Sequence, residues 1–450
     1  MSVTRKCQPN PLSQDILTFK NGELYFDNIS IQQLTSDRQT PFFLMSANRL
    51  TSNYNRIEQA FSKYHRSRVY YSVKTNYNLS VLRVLQKAGS GAEVCSGMEL
   101  YLAKQAGFKA QDIVMDGACW TDEEVKEAIM TEIAMLNIDS KVMLSKVVSI
   151  AKILKIAPHV SFRINPHIKI SFMQSFIEGY ISRFGIDMSE ALKFYDEAFK
   201  TENIVVDGLA MHIGSGIVNP KVYAEALKPM MKLYFQLDLP AFLNYGRKFA
   251  MLNIGGGYPV QSMKSVSTTA FVLQRVGFNR YEKAPPIEEF SKEIYPCISG
   301  LSDATTLALE PGRYISGDAG VLVTKVASIK DKWVFLDGGI NLLSESAFFS
   351  RRGFLLADQA KNEGKLRKVN IAGNGLNTVD VLAVSQQFPK VNVGDVVVVL
   401  DAGAYSLSRA NQFIYLRPEA LMVDNGKVSC IQRKETYNDV LRLYSAEVEE

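Results

Sequence analysis

The chain has 450 residues, of which 47% are hydrophobic, and its formal net charge at pH 7 is only +5. This length is enough for two domains with substantial cores, and the small charge, without a basic block, argues against a nucleic-acid partner. No uncharged apolar run approaches about 18 residues and no apolar signal segment opens the chain, so we expect a soluble, cytoplasmic protein. The cysteines are scattered, odd in number and without metal-ligand spacing, which favours reduced thiols and no bound metal: Cys7, Cys95, Cys119, Cys297 and Cys430.

The first 308 residues divide into a polar arm and an alternating region. Residues 1–45 are polar apart from an apolar patch at 24–26 and a predicted strand at 40–45. From residue 46 to 308, helical patterns such as 81–88 and 123–130 alternate with short apolar strands. The predicted strands that follow residue 100 are 113–115, 134–137, 160–164, 206–212 and 250–254. The alternation predicts one parallel (β/α)8 barrel of the TIM type, although two smaller doubly wound units would fit the same pattern.

Residues 309–450 have a different character. Apolar runs at 321–326, 333–336 and 396–400 follow one another without long helices between most of them. This pattern predicts an antiparallel β domain of the barrel or sandwich type, with no low-complexity linker before it.

Lys74 ends the predicted strand 69–73, a run of β-branched and aromatic residues typical of a buried strand. An amine at the C-terminal end of a barrel strand is partly desolvated, which makes it a candidate imine-forming nucleophile. A strand-end lysine that reaches solvent is the alternative, and this stretch alone favours it.

Two further segments predict a site at the same end of the barrel. His212 follows the strand 205–211 and could stack on an aromatic ring, although a histidine satisfied by the core is common. The turn formed by Gly255, Gly256 and Gly257 would let backbone N–H groups approach an anion, and no Lys-Ser/Thr follows it as in a Walker loop. A glycine-rich turn by itself is weak evidence.

Five segments together resemble the fold type III pyridoxal-phosphate decarboxylases, a family that includes ornithine, arginine and diaminopimelate decarboxylases. The segments are 69–76 with 91–100, 212–216, 253–259, 309–313 and 401–405, and the diaminopimelate branch is the most similar. The resemblance implies a barrel with an alanine racemase-like β domain, an N-terminal arm that joins that domain, and a homodimer with shared active sites. It also implies pyridoxal 5'-phosphate bound as a Schiff base to Lys74.

The resemblance implies a role for each motif residue. His212 would stack on the pyridine ring, and Glu310 would keep the ring nitrogen protonated so that the ring withdraws electrons from Cα. Arg313 would contact phosphate or a substrate carboxylate, where a planar cation is useful. The remaining phosphate contacts would come from Ser215, Gly255, Gly256, Gly257, Gly312 and Tyr405.

The chain departs from the family where substrate is held. After 337–341, relatives carry an arginine and a tyrosine where this chain has Glu345 and Phe349, and Arg351 and Arg352 could substitute for the lost cation. In the segment 373–380, Leu376 and Asn377 stand where relatives have a cysteine and an acidic residue, while Asp380 is kept. Loss of that acid removes a charge-assisted bond to a distal ammonium, about 1.5–3 kcal/mol.

These departures predict a substrate whose distal amine is masked. The first expectation is a citryl-diamino acid of carboxylate-siderophore synthesis, because an amide needs no acidic partner and a citryl group would attract Arg351 and Arg352. The alternatives are a free diamino acid (diaminopimelate, ornithine or lysine) and a non-catalytic regulatory homologue, with a racemase as a third possibility. Retention of Lys74, His212, Glu310, Arg313 and Tyr405 argues for an enzyme.

Overall fold

A computed structural model describes residues 16–168, 183–246, 248–260, 284–347 and 352–444. Two compact units are present: one consists of Leu50–Val260 with Ala284–Ile315, and the other contains the chain before and after these segments. Among the described helices, none combines the length and hydropathy needed to cross a membrane.

The N-terminal part supplies a small antiparallel sheet and one strand of a larger sheet. Its elements are β1 (Leu17–Lys20), β2 (Glu23–Phe26), β3 (Ile29–Ser30), α1 (Ile31–Asp37) and β4 (Phe42–Ser46). The strand predicted at 40–45 is β4, which pairs with residues 320–323 of the distant C-terminal region. Such a long-range pairing leaves no local pattern in the sequence.

Eight parallel strands form a closed barrel, as the alternating pattern predicted. They are β5 (Ser67–Ser72), β6 (Gly91–Val94), β7 (Ile113–Gly117), β8 (Met135–Ile138), β9 (His159–Asn165), β11 (Val205–Met211), β12 (Met251–Asn253) and β13 (Thr306–Leu309), with β10 (Ile186–Asp187) beside β9. Pairing of β8 with β9 and of β13 with β5 closes the ring. The two-domain alternative for this region is therefore excluded.

Helices follow most of the barrel strands, and side-chain caps fix where several of them begin. The helices are α2 (Ala47–Ser62), α3 (Leu79–Lys87), α4 (Gly97–Ala106), α5 (Asp122–Thr131), α6 (Lys141–Leu154), α7 (Ala191–Phe199), α8 (Lys221–Tyr245), α9 (Ile287–Ile298) and α10 (Arg313–Ser316). Thr121 accepts the Glu124 N–H while Glu124 accepts the Thr121 N–H, so α5 begins at Asp122, one residue before the predicted start.

The C-terminal region is rich in β-structure, as predicted. It contains β14 (Gly320–Lys330), β15 (Trp333–Leu336), β16 (Phe354–Leu356), α11 (Gln359–Asn362), β17 (Arg367–Ala372), β18 (Val381–Phe388), β19 (Val396–Val399), β20 (Ala420–Asp424), β21 (Lys427–Gln432) and α12 (Tyr437–Leu441). Most pairings are antiparallel, but β15 pairs with β17 and β4 with β20 in parallel. These two pairings join strands that are separated by other elements, so no hairpin signal predicts them.

The division between the units falls at Ile315, beyond the boundary predicted at residue 308. The segment after β13 still contacts the barrel: Ser72 N–H donates to the Pro311 carbonyl at 3.3 Å. A Cβ on Gly312 would overlap the Thr75 hydroxyl. Glu310 and Arg313 therefore belong to the barrel unit.

Candidate active site

The barrel interior is built in two layers. The lower layer is an apolar cluster with members from five strands: Tyr70, Val114, Met135, Met251 and Ala308. Two residues further along the chain from each of these lies a buried polar residue, on the strand or directly after its end: Ser72, Asp116, Asn137, Asn253 and Glu310. Because side chains alternate with period two along a strand, the polar set occupies the same interior face one layer nearer the C-terminal strand ends.

Lys74 lies in a short 3-10 turn, Val73–Thr75, directly after β5. Its Nζ donates to both carboxylate oxygens of Glu93, at 2.6 and 2.8 Å, and lies 3.1 Å from the Cys95 Sγ. The Ser72 hydroxyl and the Cys95 thiol also donate to Glu93. Lys74 is 41% exposed and Glu93 is fully buried, so the amine is held by an inner acid while its outer side stays accessible.

Glu93 is ionised in this arrangement. Burial alone raises the pKa of its carboxyl, but the Lys74 charge and the hydrogen bonds from Cys95, Lys74 and Ser72 outweigh burial and lower that pKa. Burial and the Glu93 charge instead raise the pKa of the Cys95 thiol, which stays protonated. The Lys74 amine and the buried Glu93 carboxylate thus form an ion pair with a neutral thiol beside it.

Glu310 lies just beyond the end of β13 and is 4% exposed. Its Oε1 accepts a hydrogen bond from the Asn253 amide at 2.5 Å, and no cation of the described residues forms a salt bridge with it. Burial, followed by the charges of Asp116 and Glu93, raises the pKa of this carboxyl well above its ordinary value. A buried acid that has no cation beside it among the described residues would stabilise a positive charge on the pyridine nitrogen of a bound cofactor.

His212 connects the end of β11 to the glycine-rich turn. Its Nδ1 accepts the Gly256 N–H at 3.3 Å, so the neutral ring carries its proton on Nε2. Burial, with the positive charges of Arg163 and Lys74, lowers the pKa of His212 to about 3, and the ring is uncharged at pH 7.

The three glycines of the turn pack against neighbouring strand ends. A Cβ on Gly256 would overlap the Glu310 carbonyl oxygen, and one on Gly257 would overlap the Gly214 carbonyl oxygen. Gly257 also has a φ of +96°, a region that favours glycine. The turn therefore places backbone without side chains at the end of the barrel that holds Lys74 and Glu310. Ser215 is exposed in the loop after β11, and Arg313 is half-buried at the start of α10.

Tyr405 lies in the second unit, in a loop supported by a buried arginine. Its φ is +51°, an uncommon conformation for a tyrosine. Arg352, 7% exposed, donates to the Asp401 carbonyl and, at 3.0 Å, to the Ser406 hydroxyl. These bonds give Arg352 a role in shaping the Tyr405 loop and lend no support to the predicted contact with substrate.

The segment 373–380 is held by Asp380, which is 3% exposed. Its carboxylate accepts the N–H groups of Ile340 and Gly375 at 2.9 and 2.8 Å, so Asp380 links this segment to the turn after β15. Asn377 is exposed and its side-chain oxygen accepts the Val379 N–H, while Leu376 is 93% exposed.

Glu345 is half-buried in the 3-10 turn Ser344–Ala347. Phe349 and Arg351 lie outside the described residues.

Sequence reasoning missed three buried members of the site, Glu93, Asp116 and Asn253. Glu93 is an ionisable residue inside a short apolar strand, and such residues are rarely buried without a partner. Asp116 and Asn253 each follow an inward apolar residue at a spacing of two. Reading each strand for an inward polar residue near its C-terminal end would have found all three.

Residues 48–317 match the family described as pyridoxal-dependent decarboxylase, pyridoxal binding domain. This match covers more than half of the chain and contains the whole barrel site. The chain therefore belongs to the pyridoxal-dependent decarboxylases and is an amino-acid decarboxylase that uses pyridoxal 5'-phosphate.

The similarity extends along almost the whole chain. A diaminopimelate decarboxylase of Methanothermobacter thermautotrophicus is 30% identical over 439 residues, which are 95% of this chain and 97% of the relative. One of Aquifex aeolicus is 29% identical over 432 residues, 94% of this chain and 96% of the relative. The crystal structure of the Methanocaldococcus jannaschii diaminopimelate decarboxylase with L-lysine has 27% identity and a TM-score of 0.85, and the match covers 97% of this chain and 99% of that one.

The residues of the barrel fit this cofactor. Lys74 offers an amine to its aldehyde, and Glu310 is a buried acid that forms no salt bridge within the described part of the chain. The glycine turn offers backbone N–H groups of the kind that bind phosphate.

Proposed function

We propose that the protein removes CO2 from a free diamino acid, with diaminopimelate as the first candidate. The observation that carries this proposal is the similarity to diaminopimelate decarboxylases along both units, including the β unit outside the cofactor-binding match. That similarity favours the free diamino acid over the citryl conjugate expected from the sequence departures. Release of CO2 from one end of diaminopimelate, with a proton taking its place on Cα, gives lysine, which is the molecule bound to the solved relative.

The barrel residues have distinct roles in this proposal. Pyridoxal phosphate supplies an aldehyde for amines and a ring that withdraws electrons from Cα. Lys74 would hold the cofactor through its Nζ. When the Lys74 amine is free, it can receive or return a proton, and the Glu93 carboxylate stabilises its charged form. Glu310 holds a proton at the ring nitrogen, and the neutral imidazole of His212 offers a flat face for the ring.

A conjugated amino acid is the second candidate, because Asn377 and Leu376 leave no acid at their two positions. An amide on the distal nitrogen would not need an acidic partner, whereas a free ammonium would. The bonds of Arg352 within its own loop weaken the part of this candidate that requires Arg352 to bind a citryl carboxylate.

A panel of substrates separates the two candidates. CO2 release is measured with diaminopimelate, lysine, ornithine, citryl-ornithine and citryl-diaminopropionate at equal concentration. We expect diaminopimelate to give the highest kcat/KM. A higher kcat/KM for a citryl conjugate would favour the conjugated amino acid as the substrate. No turnover of any compound in the panel would reject both candidates.

We also propose that the protein is a homodimer whose interface includes the segment 373–380. Leu376 is 93% exposed and Val379 is 51% exposed, although the segment is anchored by Asp380. Apolar side chains on an anchored, exposed loop are favourable positions for contact with a second chain.

A further inference from the structure

Tyr223, in the first turn of α8, lies directly behind the glycine-rich turn. Its side chain is fully buried, and its hydroxyl donates to the Gly256 carbonyl at 2.6 Å. Its ring stacks on Tyr258, with centroids 5.0 Å apart and planes at 3°, and Phe290 meets both rings edge-on. Three packed rings therefore fix the position of the hydroxyl that holds the turn.

This bond sets the direction of one backbone amide. In a trans peptide the carbonyl of one residue and the N–H of the next point in opposite directions. The Gly256 carbonyl points to the buried Tyr223 hydroxyl, so the Gly257 N–H points away from the aromatic core. That N–H has no acceptor among the described residues, while the Gly257 carbonyl accepts the Ile217 N–H at 3.0 Å.

We propose that Tyr223 is a positioning residue that presents the Gly257 N–H to the phosphate of the cofactor. The inference rests on the proposed role of this turn as the phosphate site. A peptide between two glycines can rotate at low cost because neither has a Cβ. Without the Tyr223 hydroxyl, no other described residue donates to the Gly256 carbonyl, and rotation would turn its oxygen toward the phosphate and repel it.

The barrel offers a matched control in Tyr195. Its hydroxyl donates to the Gly208 carbonyl at 2.7 Å, and its ring is fully buried against Phe162. The bond type and the burial are the same, but Gly208 lies in the middle of β11, away from the glycine-rich turn. Substitution of Tyr195 by phenylalanine thus removes an equivalent hydroxyl without touching that turn.

The test compares two ligands on the full-length, cofactor-stripped protein. Wild type, Tyr223→Phe and Tyr195→Phe are titrated with pyridoxal 5'-phosphate and with pyridoxal, which lacks the phosphate, and visible absorbance reports binding. We expect Tyr223→Phe to bind pyridoxal phosphate roughly fivefold more weakly, the effect of one lost hydrogen bond, and pyridoxal with unchanged affinity. Tyr195→Phe should bind both ligands as wild type does.

Each other outcome contradicts the inference in a distinct way. An equal loss for both ligands in Tyr223→Phe would show general damage to packing, and no loss for either would show that the hydroxyl does not position the turn. Wild type that binds pyridoxal as tightly as pyridoxal phosphate would reject the phosphate role of the turn, and the inference with it. Should Tyr223→Phe be too unstable to titrate, the rise in melting temperature with inorganic phosphate is compared instead. A rise equal to that of Tyr195→Phe would overturn the inference.

Discussion

Lys74 is charged, accessible and held by a buried acid in this barrel. Glu93 bonds the amine through both carboxylate oxygens, so the ion pair is bidentate and fully formed within the barrel. Binding of a cofactor through the Lys74 amine would remove hydrogen-bond donors from Glu93. The acid is then left with Ser72 and Cys95 as donors, which keep its charge partly satisfied.

Substitution of Lys74 by alanine should abolish stable cofactor binding. We expect the visible absorbance of the protein-bound cofactor to disappear and CO2 release to fall on the order of a thousandfold or more. Lys104→Ala is the control, because Lys104 forms its ion pair with Glu127 on the surface. Unchanged absorbance in Lys74→Ala would mean that another amine carries the cofactor.

Glu99 should make the stability of the cofactor-free protein depend on pH. Burial and the Glu93 charge raise its pKa from 4.5 to about 7, and its carboxylate accepts the Cys95 N–H at 2.7 Å. The folded state therefore binds this proton more tightly than the unfolded state. The stabilisation is complete below pH 4.5 and is lost as pH rises to about 7, a change of roughly 3 kcal/mol.

Glu99→Gln should remove that part of the pH dependence, because a carboxamide oxygen still accepts the N–H but does not titrate. Denaturant unfolding at pH 4.5 and pH 8 measures the change, and Glu123→Gln on the exposed side of α5 is the matched control. An unfolding free energy whose pH dependence is the same in Glu99→Gln and wild type would contradict the assignment.

Among the secondary-structure elements, α4 and α5 are joined by one side chain near the site. One oxygen of Glu124 accepts the Thr121 N–H in the α5 cap at 2.9 Å, and the other accepts the Gly97 N–H at the start of α4 at 2.7 Å. Because α4 begins two residues after Cys95, this contact fixes the loop that follows the Glu93 strand.

Glu124→Ala should therefore destabilise the protein about twice as much as Thr121→Ala. The first leaves two backbone N–H groups without their acceptor and the second leaves one, which predicts losses of about 2 and about 1 kcal/mol. Urea unfolding measures both. Equal losses would mean that the Gly97 contact contributes nothing to stability.

The sequence predicted the individual helices and strands better than it predicted how distant strands pair. The alternation of helices and strands predicted the barrel, and capping residues such as Thr121 account for a helix start that differs by one residue. The pairing of β4 with β14 and the parallel pairing of β15 with β17 depend on contacts between distant segments, which no local pattern encodes. In the site, Lys74 and Glu310 were found through family motifs, whereas Asp116 was missed because it stands alone in its strand.

At the scale of the whole molecule, the proposed dimer depends on the segment 373–380, in which Leu376 and Val379 are exposed in the described structure. Replacing Leu376 with glutamate would place a charge in the interface, and we expect the dimer to dissociate at concentrations where wild type remains associated. Light scattering after size-exclusion chromatography measures the mass. Ile153→Glu is the control, since Ile153 is 79% exposed on the barrel helix α6. Dissociation of Ile153→Glu but not of Leu376→Glu would indicate that the interface includes α6 rather than the segment 373–380.

The apolar layer beneath the buried polar residues affects how substrate and product would reach and leave the site. A buried apolar cluster lies below the polar residues, so the exposed side of Lys74 faces the C-terminal ends of the strands; the cluster consists of Tyr70, Val114, Met135, Met251 and Ala308. Substrate and product would then approach and leave Lys74 from the same end of the barrel. A product molecule that lingers there delays the next round, so the amine product should compete directly with incoming substrate.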